Sequence, residues 1–396
     1  MININSKSFY EITFYTDYLI NFMNKKIAFL ILVIVLSFSR VFAIEEVHLE
    51  QEGLNLFNYG DYLSDVYYGK VENAPAILKL ASKNGLEFEN SFINSVKFHF
   101  LYSGDLSYIH NQYKGDQTKH LFNSVEPKLS MNFNDNKTQA MFNINLVSDI
   151  PGYDKHFAQM LRMVYISHRF TPNQMIVFGQ YTRVPTTYDG AGSLFGQDAF
   201  YKTQLGRTFG NTMSVGVRNI GNYKYIDYDI GLYDSTRFMQ SFGKGLDFTG
   251  YLMFKPLADF KEKIGDFRLG AGYNVGKYNI SYNQYSFFAG YDYKKFHAKA
   301  EYAAANGYNG IYESRNSAEG FYTTLMYDIT SKLTLIGRYD VFDKNIYAPN
   351  DTTNEYTVGL IYSPYKNIKF LLNYVITHGT NQPSSNSILF ATRFIL

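Results

Sequence analysis

Apolar and polar side chains alternate with a period of two along most of this chain. The clearest stretch is 321–341, in which Phe321, Leu325 and Ile329 fall on one face of a strand and Asp328 falls on the other. Period-two alternation predicts β-strands with one apolar and one polar face. A soluble sandwich would bury the apolar face in a core, whereas a membrane barrel would turn it to lipid and enclose water with the polar face.

The pattern recurs from about residue 95 to the end of the sequence and predicts sixteen strands. Their predicted ranges are 95–104, 120–134, 138–149, 157–170, 175–183, 212–220, 224–234, 246–256, 266–276, 280–293, 296–306, 319–330, 333–343, 354–363, 367–378 and 387–396. Short connections alternate with long ones such as 105–119 and 184–211, as turns and loops do in a single-chain barrel. The sequence therefore predicts an all-β fold, a transmembrane antiparallel β-barrel over 86–396. Eighteen strands are the alternative if 204–222 holds a further limb.

Composition favours the membrane barrel. Aromatic residues make up 18% of the 396 residues, and charged residues are held to 18%. Tyrosine would form the interfacial girdles, since the chain contains no tryptophan. A mean hydropathy of −0.23 argues against a bundle of membrane helices. The absence of cysteine excludes disulfides and thiolate metal sites. A net charge of +2 gives no reason to expect a nucleic acid partner.

The N-terminal residues carry an export signal. A basic start, an apolar core at 27–38 and small residues before Ala43 predict a signal helix over 23–43, with cleavage after Ala43. An uncleaved anchor helix is the alternative hypothesis. We expect 1–22 to be an upstream mis-start and 44–85 to be a periplasmic segment. The last strand resembles the terminal strand that barrel-assembly machinery recognises, so the mature chain is expected in a bacterial outer membrane.

Alternation also assigns each charged strand residue to a face. The bases expected to line the pore are Lys97, Lys128, Arg162, Arg218, Arg268, Lys299, Arg338, Lys369 and Arg393, with His99 beside them. The acids expected there are Glu126, Asp227, Asp229, Asp247, Glu301, Asp328, Asp340 and Glu355. A ladder of bases would raise the local concentration of anions. Alternatively, acids and bases pair across strands and merely keep the lumen wet.

The longest connection, 184–211, is rich in glycine between 190 and 196. Its glycine spacing approaches a dinucleotide fingerprint, but the strand and helix that such a site needs are not predicted around it. Glycine and Pro185 allow sharp turns, so the loop is expected to lie along the inner wall and narrow the pore. The charged candidates for this constriction are Asp189, Asp198, Lys202 and Arg207.

Two short motifs resemble signatures of the phosphate-selective porin O/P family. The run Gly179-Gln-Tyr-Thr-Arg-Val-Pro185 followed by Ser193 is similar to its strand-and-loop signature, and 322–343 is similar to a second one. The resemblance covers 86–396 and implies a sixteen-stranded, trimeric channel for small anions. Members with a strong phosphate preference cluster arginine and lysine at the constriction. The loop in this chain sets two bases beside two acids, so a mild anion preference is expected.

No other chemistry is indicated. Histidines are scattered singly and no Gly-x-Ser-x-Gly elbow is present, so no enzymatic step is expected. Oxygen-bearing residues between 343 and 355 lack EF-hand spacing, and neither a metal nor a cofactor is expected. The expected function is passive diffusion of small hydrophilic solutes through an outer-membrane porin surrounded by lipid. The alternative is a surface adhesin or structural barrel with a closed lumen.

Overall fold

Sixteen long antiparallel strands form one closed sheet. The computed structural model describes residues 86–88, 92–111, 115–133, 137–147, 160–182, 187–191, 196–210, 213–235, 245–308, 315–380 and 384–395. The predictions for 1–22, for the signal helix 23–43 with cleavage after Ala43, and for 44–85 fall outside these residues.

The long strands follow one another around the ring in chain order. They are β2 (Ile93–Asn111), β3 (Gly115–Phe133), β4 (Thr138–Ile144), β5 (Leu161–Thr171), β6 (Gln174–Thr182), β7 (Met213–Asn222), β8 (Ile226–Asp234), β9 (Leu246–Phe254), β10 (Asp266–Lys277), β11 (Ser281–Tyr293), β12 (Phe296–Asn306), β13 (Ser317–Asp328), β14 (Leu333–Asp343), β15 (Thr352–Tyr365), β16 (Ile368–Gly379) and β17 (Ser385–Ile395). Strand β17 pairs with β2 and closes the ring, with Arg393 opposite Ser103. The predicted sixteen-stranded barrel is confirmed.

A further strand of two residues, β1 (Leu86–Glu87), lies at the same seam. Leu86 pairs with Val96 near the start of β2. Strand β17 reaches only as far as Ile395 opposite Leu101 on that edge of β2. Strand β1 therefore continues the edge pairing beyond the point at which β17 ends.

Three short helices occur in the described connections. Helices α1 (Tyr188–Ala191) and α2 (Gln204–Thr208) lie between β6 and β7, and α3 (Lys261–Ile264) lies between β9 and β10. Helix α2 occupies the place considered for a further strand, so the eighteen-strand alternative is wrong. The hydroxyl of Thr203 accepts a hydrogen bond from the amide of Gly206 (3.0 Å), as an N-cap does. None of the described helices is long and apolar enough to cross a membrane.

The prediction of a long loop over 105–119 is wrong, because β2 and β3 extend through most of this range. Polar side chains hold these extensions together across the hairpin. The hydroxyl of Tyr108 donates to one oxygen of Asp116 (2.7 Å), and Nδ1 of His110 lies 2.6 Å from the other. Residues expected in a loop therefore pair two extended strands.

The two faces of the barrel differ in polarity. On β15, Tyr356, Val358 and Leu360 are exposed on the outside, whereas Glu355 and Thr357 between them are buried on the inside. Other strands expose large apolar side chains outward in the same way, including Ile166, Phe178, Val217, Phe287 and Leu325. An apolar exterior of this extent is unfavourable in water and suits hydrocarbon.

A basic residue in the middle of the exterior should destabilise the barrel more than one near its rim. Val358 lies within β15 and is 60% exposed, whereas Ile329 lies just beyond the end of β13. We expect Val358→Arg to lower the free energy of unfolding in lipid by about 2–4 kcal/mol, and Ile329→Arg by about 0–1 kcal/mol. Urea titration in vesicles measures both losses. Equal losses would contradict a lipid-facing exterior.

Candidate functional site

The connection between β6 and β7 folds back against the inner wall of the barrel. We call its described parts, 187–191 and 196–210, the inner loop. The amide of Phe200 in this loop donates to Oδ1 of Asn373 on β16 at 2.6 Å. Asn373 is buried on the inward face, so this bond can form only inside the ring. Further contacts join the loop to strands from β10 round to β17.

Wall carboxylates accept the free amides at the start of both loop helices. Glu301 on β12 accepts from the amide of Tyr188 (2.7 Å) and lies 3.5 Å from that of Asp189. Asp340 on β14 accepts from the amide of Gln204 (2.6 Å). The first amides of a helix have no partner within it and carry partial positive charge. The two acids therefore hold the loop and are not simply facing water.

Wall cations serve the carbonyl groups of the same loop. The guanidinium of Arg338 on β14 donates to the carbonyl of Tyr201 (2.9 Å), and the ammonium of Lys369 on β16 donates to that of Gln197 (3.2 Å). The backbone groups of a loop that joins no sheet have no strand to bond with. Where they are buried, side chains must supply their hydrogen-bond partners. Part of the hydrogen-bonding capacity of Arg338 and Lys369 is thus used by the loop backbone.

Two ion pairs tie loop side chains to the wall. The carboxylate of Asp198 pairs with Lys299 on β12. One nitrogen of Arg207 lies 2.7 Å from each carboxylate oxygen of Glu355 on β15. Both pairs join a predicted constriction residue to an oppositely charged wall residue. Charge that a solute would meet is therefore partly neutralised within the protein.

A third arginine joins the loop to the seam of the barrel. The side chain of Arg393 on β17 is fully buried, and its Nη1 donates to Asp105 of β2 (2.6 Å) and to Ser103. Its Nη2 lies 3.5 Å from the carbonyl oxygen of Phe200. The ion pair thus spans the closing strands and borders the loop.

The remaining loop charges are arranged within the loop itself. The carboxylate of Asp189 accepts from the amide (2.7 Å) and the hydroxyl (2.9 Å) of Thr203. Burial lowers the pKa of Lys202 below its ordinary value, and Asp189 acts in the opposite direction. Burial likewise raises the pKa of Tyr201. Lys202 is therefore partly removed from water.

Apolar side chains fill the space between the loop and the wall. Phe200 is 6% exposed and packs among inward side chains of β13–β17. That first cluster comprises Ala199, Phe200, Met326, Ile336, Ile361, Leu371, Val375, Leu389 and Ala391. Leu205 is fully buried in a second cluster, which comprises Leu205, Phe209, Ala303, Ala305, Tyr308, Ala318, Tyr322 and Phe342. Burial of a leucine contributes about 1.5–3 kcal/mol, so the loop is a packed element and not a loose lid.

The other side of the barrel carries ion pairs between neighbouring strands and within one strand. Nε of Arg218 on β7 donates to Asp229 on β8 (2.7 Å), and its guanidinium lies 4.6 Å from the ring centroid of Tyr181. The ammonium of Lys255 lies 2.8 Å from Asp227. On β3, Lys128 lies 3.7 Å from Glu126. Bases and acids therefore compensate each other along this arc, β3–β9.

Strand register assigns most of the predicted lining residues to the face that also carries the buried side chains. These residues are Lys97, Lys128, Arg218, Arg268, Lys299, Arg338, Lys369, Arg393, Glu126, Asp227, Asp247, Glu301, Asp328 and Asp340. Asp328 also approaches Nε2 of His297 (3.1 Å), and Asp247 accepts from Ser235 (2.8 Å). That they line a water path stays a prediction.

Alternation does not assign a face to Arg162. The register shifts between Asn143 and Ile144, which pair with Met163 and Leu161 and leave Arg162 as the extra residue. A second irregularity lies nearby at Gly179, whose φ is 130°. A bulge interrupts the period of two, so the inward prediction for Arg162 loses its basis.

Sequence reasoning missed two residues: Asn373, which holds the loop, and Asp105, which holds Arg393 beside the loop. Asp105 fell in a predicted loop, and Asn373 carries no charge that would have marked it. The amide of Phe200 reaches Asn373 across 173 positions of the chain. No local pattern signals such a contact.

Comparison with known proteins gives structural relatives only. No family model matches the sequence, and no curated protein matches it. OmpT of Vibrio cholerae superposes with a TM-score of 0.55 at 11% identity, over 78% of this chain and 100% of that one. The anion-selective porin from Comamonas acidovorans gives 0.57 at 10% identity, over 76% and 99%. OprB of Pseudomonas putida gives 0.57 at 10% identity, over 76% and 94%. The chain therefore has the fold of outer-membrane porins, and identity this low shows the fold alone.

Removing a wall acid that holds the loop should cost more stability than removing one that does not. We expect Asp340→Ala to lower the free energy of unfolding by about 1–3 kcal/mol, because the buried amide of Gln204 loses its acceptor. Asp227→Ala breaks the ion pair with Lys255, which lies away from the loop, and should lower the free energy of unfolding by about 0–1 kcal/mol. Guanidinium titration followed by tyrosine fluorescence measures both. Equal losses would show that Asp340 does not anchor the loop.

Proposed function

We propose that this chain is an outer-membrane porin that lets small hydrophilic solutes diffuse passively. The observation that carries the proposal is the closed barrel with an apolar exterior, a charged and polar inner wall, and a folded loop packed against one side of that wall. A soluble barrel would not expose this much apolar surface, and a rigid plug would not need a polar wall opposite it. The proposal includes no catalytic step.

The inner loop would narrow the channel to the space beside β3–β9. Its anchors lie on β10–β17, where Glu301, Asp340, Asn373 and Arg338 hold its backbone. Solutes would then pass between the loop and the arc that carries the Arg218 pair. Pore radius at that level and the wall charges would set selectivity.

Selectivity among ions should be weak, with at most a mild anion preference. A phosphate path of the porin O/P type needs several bases free to bind an anion, preferably in a row. In this chain Arg218, Arg268, Lys299 and Arg393 each pair with a carboxylate. Paired charges present little net field to a passing ion, so strong phosphate selectivity is not proposed.

The chain is proposed to act as a homotrimer in the outer membrane. The structure of in-vitro folded OmpT of Vibrio cholerae, 12% identical over 76% of this chain, is described as a trimer form. Export through the predicted signal helix, followed by insertion by the barrel-assembly machinery, would bring the chain to that membrane. Lipid would then cover the apolar exterior outside the subunit contacts.

Planar bilayers test the channel and its selectivity together. Refolded protein should give discrete conductance steps with a reversal potential near zero across a KCl gradient, and phosphate should not block them. The variant Arg218→Met leaves Asp229 uncompensated on the arc and should shift the reversal potential toward cation preference. Reversal potentials of the two proteins at one salt gradient measure the shift.

The double variant Arg218→Met with Asp229→Asn is the matched control. It removes both charges, so the reversal potential should return to that of the parent. No shift in the single variant Arg218→Met would place the arc outside the permeation path. A silent bilayer with a folded barrel would reject the porin and favour an adhesin or structural barrel with a closed lumen.

A further inference from the structure

The last strand, β17, contacts the inner loop through Arg393, and β2 holds that arginine across the seam. Arg393 of β17 bonds Asp105 and Ser103 of β2, and it borders the carbonyl of Phe200 in the loop. Its side chain is fully buried, and that of Asp105 is 4% exposed. The guanidinium of Arg393 thus contacts β2 across the seam and the inner loop at the same time.

The apolar part of the seat also includes the last strand. Leu389 and Ala391 of β17 are both fully buried in the cluster that contains Ala199 and Phe200 of the loop. Without β17 in place, Phe200 would lose part of its packing together with its neighbouring polar contact. The polar contact of Arg393 and the apolar packing of Phe200 therefore both require β17 to be in place before the loop is seated.

Arginine suits this junction better than lysine. A guanidinium carries five donors in one plane and can serve a carboxylate and a carbonyl in different directions, whereas an ammonium is a single point of charge. Lys369 stands opposite Arg393 in the register, and Lys299 is paired with Asp198 nearby. These cations hold other parts of the loop, Gln197 and Asp198.

We propose that Arg393 is a positioning residue that couples closure of the barrel to seating of the inner loop. The loop reaches its seat only when β17 is paired with β2, because β17 supplies part of the seat and β2 holds Arg393 in place. Its consequence for transport rests on the proposed porin function, whereas seating can be measured without any transport. Loss of Arg393 should leave the barrel closed and loosen the seating of the loop.

A single thiol reports on the seating. Ala199 is 2% exposed in the first cluster, and the chain contains no cysteine, so Ala199→Cys introduces the only reactive thiol. A water-soluble maleimide should label this thiol slowly in the parent. With Arg393→Met we expect labelling to be faster by about tenfold, since local opening exposes the site. Arg393→Lys should give an intermediate rate.

Two further variants separate positioning from general loosening. Arg218→Met breaks an arginine–aspartate pair on the opposite arc. In this variant the thiol at position 199 should label as slowly as in the parent. Arg393→Met with Asp105→Asn removes both buried charges, and labelling should stay fast because the loop contact is still lost. Heat-modifiable migration on gels establishes that each barrel is closed.

Slow labelling of a closed Arg393→Met barrel would overturn the proposal, as would equal acceleration by Arg218→Met. If Arg393→Met does not fold, the Arg393→Lys variant decides: a rate equal to that of the parent would overturn the proposal. A parent that labels slowly but is silent in bilayers would reject the porin function and leave the coupling intact.

Discussion

A chain segment inside a barrel has no strand to pair with, yet its amides and carbonyls still need hydrogen-bond partners. At membrane depth this requirement is strict, because irregular backbone is tolerated only where protein or enclosed water satisfies it. In this protein the inner wall supplies the partners. Glu301 and Asp340 accept loop amides, and Arg338 and Lys369 donate to loop carbonyls. The packing of the loop and the electrostatics of the lumen both follow from that demand.

The same demand explains why the lumen has many charges and little expected selectivity. On the loop side, Lys299 pairs with Asp198 of the loop and Arg393 pairs with Asp105 of β2, whereas on the arc β3–β9 Arg218 pairs with Asp229 across strands. The alternatives drawn from the sequence were a ladder of bases or cross-strand pairs that keep the lumen wet. The structure adds a third role, in which wall charges hold a folded element in place.

Local patterns predicted the barrel well because a strand is a local property. The predicted range 333–343 coincides with β14, and every other predicted strand overlaps one that forms. The failures have physical causes. At 105–119 polar residues pair across a hairpin, and at Arg162 a bulge interrupts the alternation. The loop anchors depend on contacts between distant parts of the chain, such as Phe200 with Asn373, and no period in the sequence encodes them.

Hydrogen–deuterium exchange of the wild-type barrel in lipid tests most directly whether the wall holds the loop. The amides of Tyr188, Phe200 and Gln204 each donate to a wall side chain, so they should exchange as slowly as amides in the neighbouring strands. If instead they exchange as fast as amides in the turn around Lys332, the loop is not seated. The wall charges would then face the lumen and would not be holding a folded element in place.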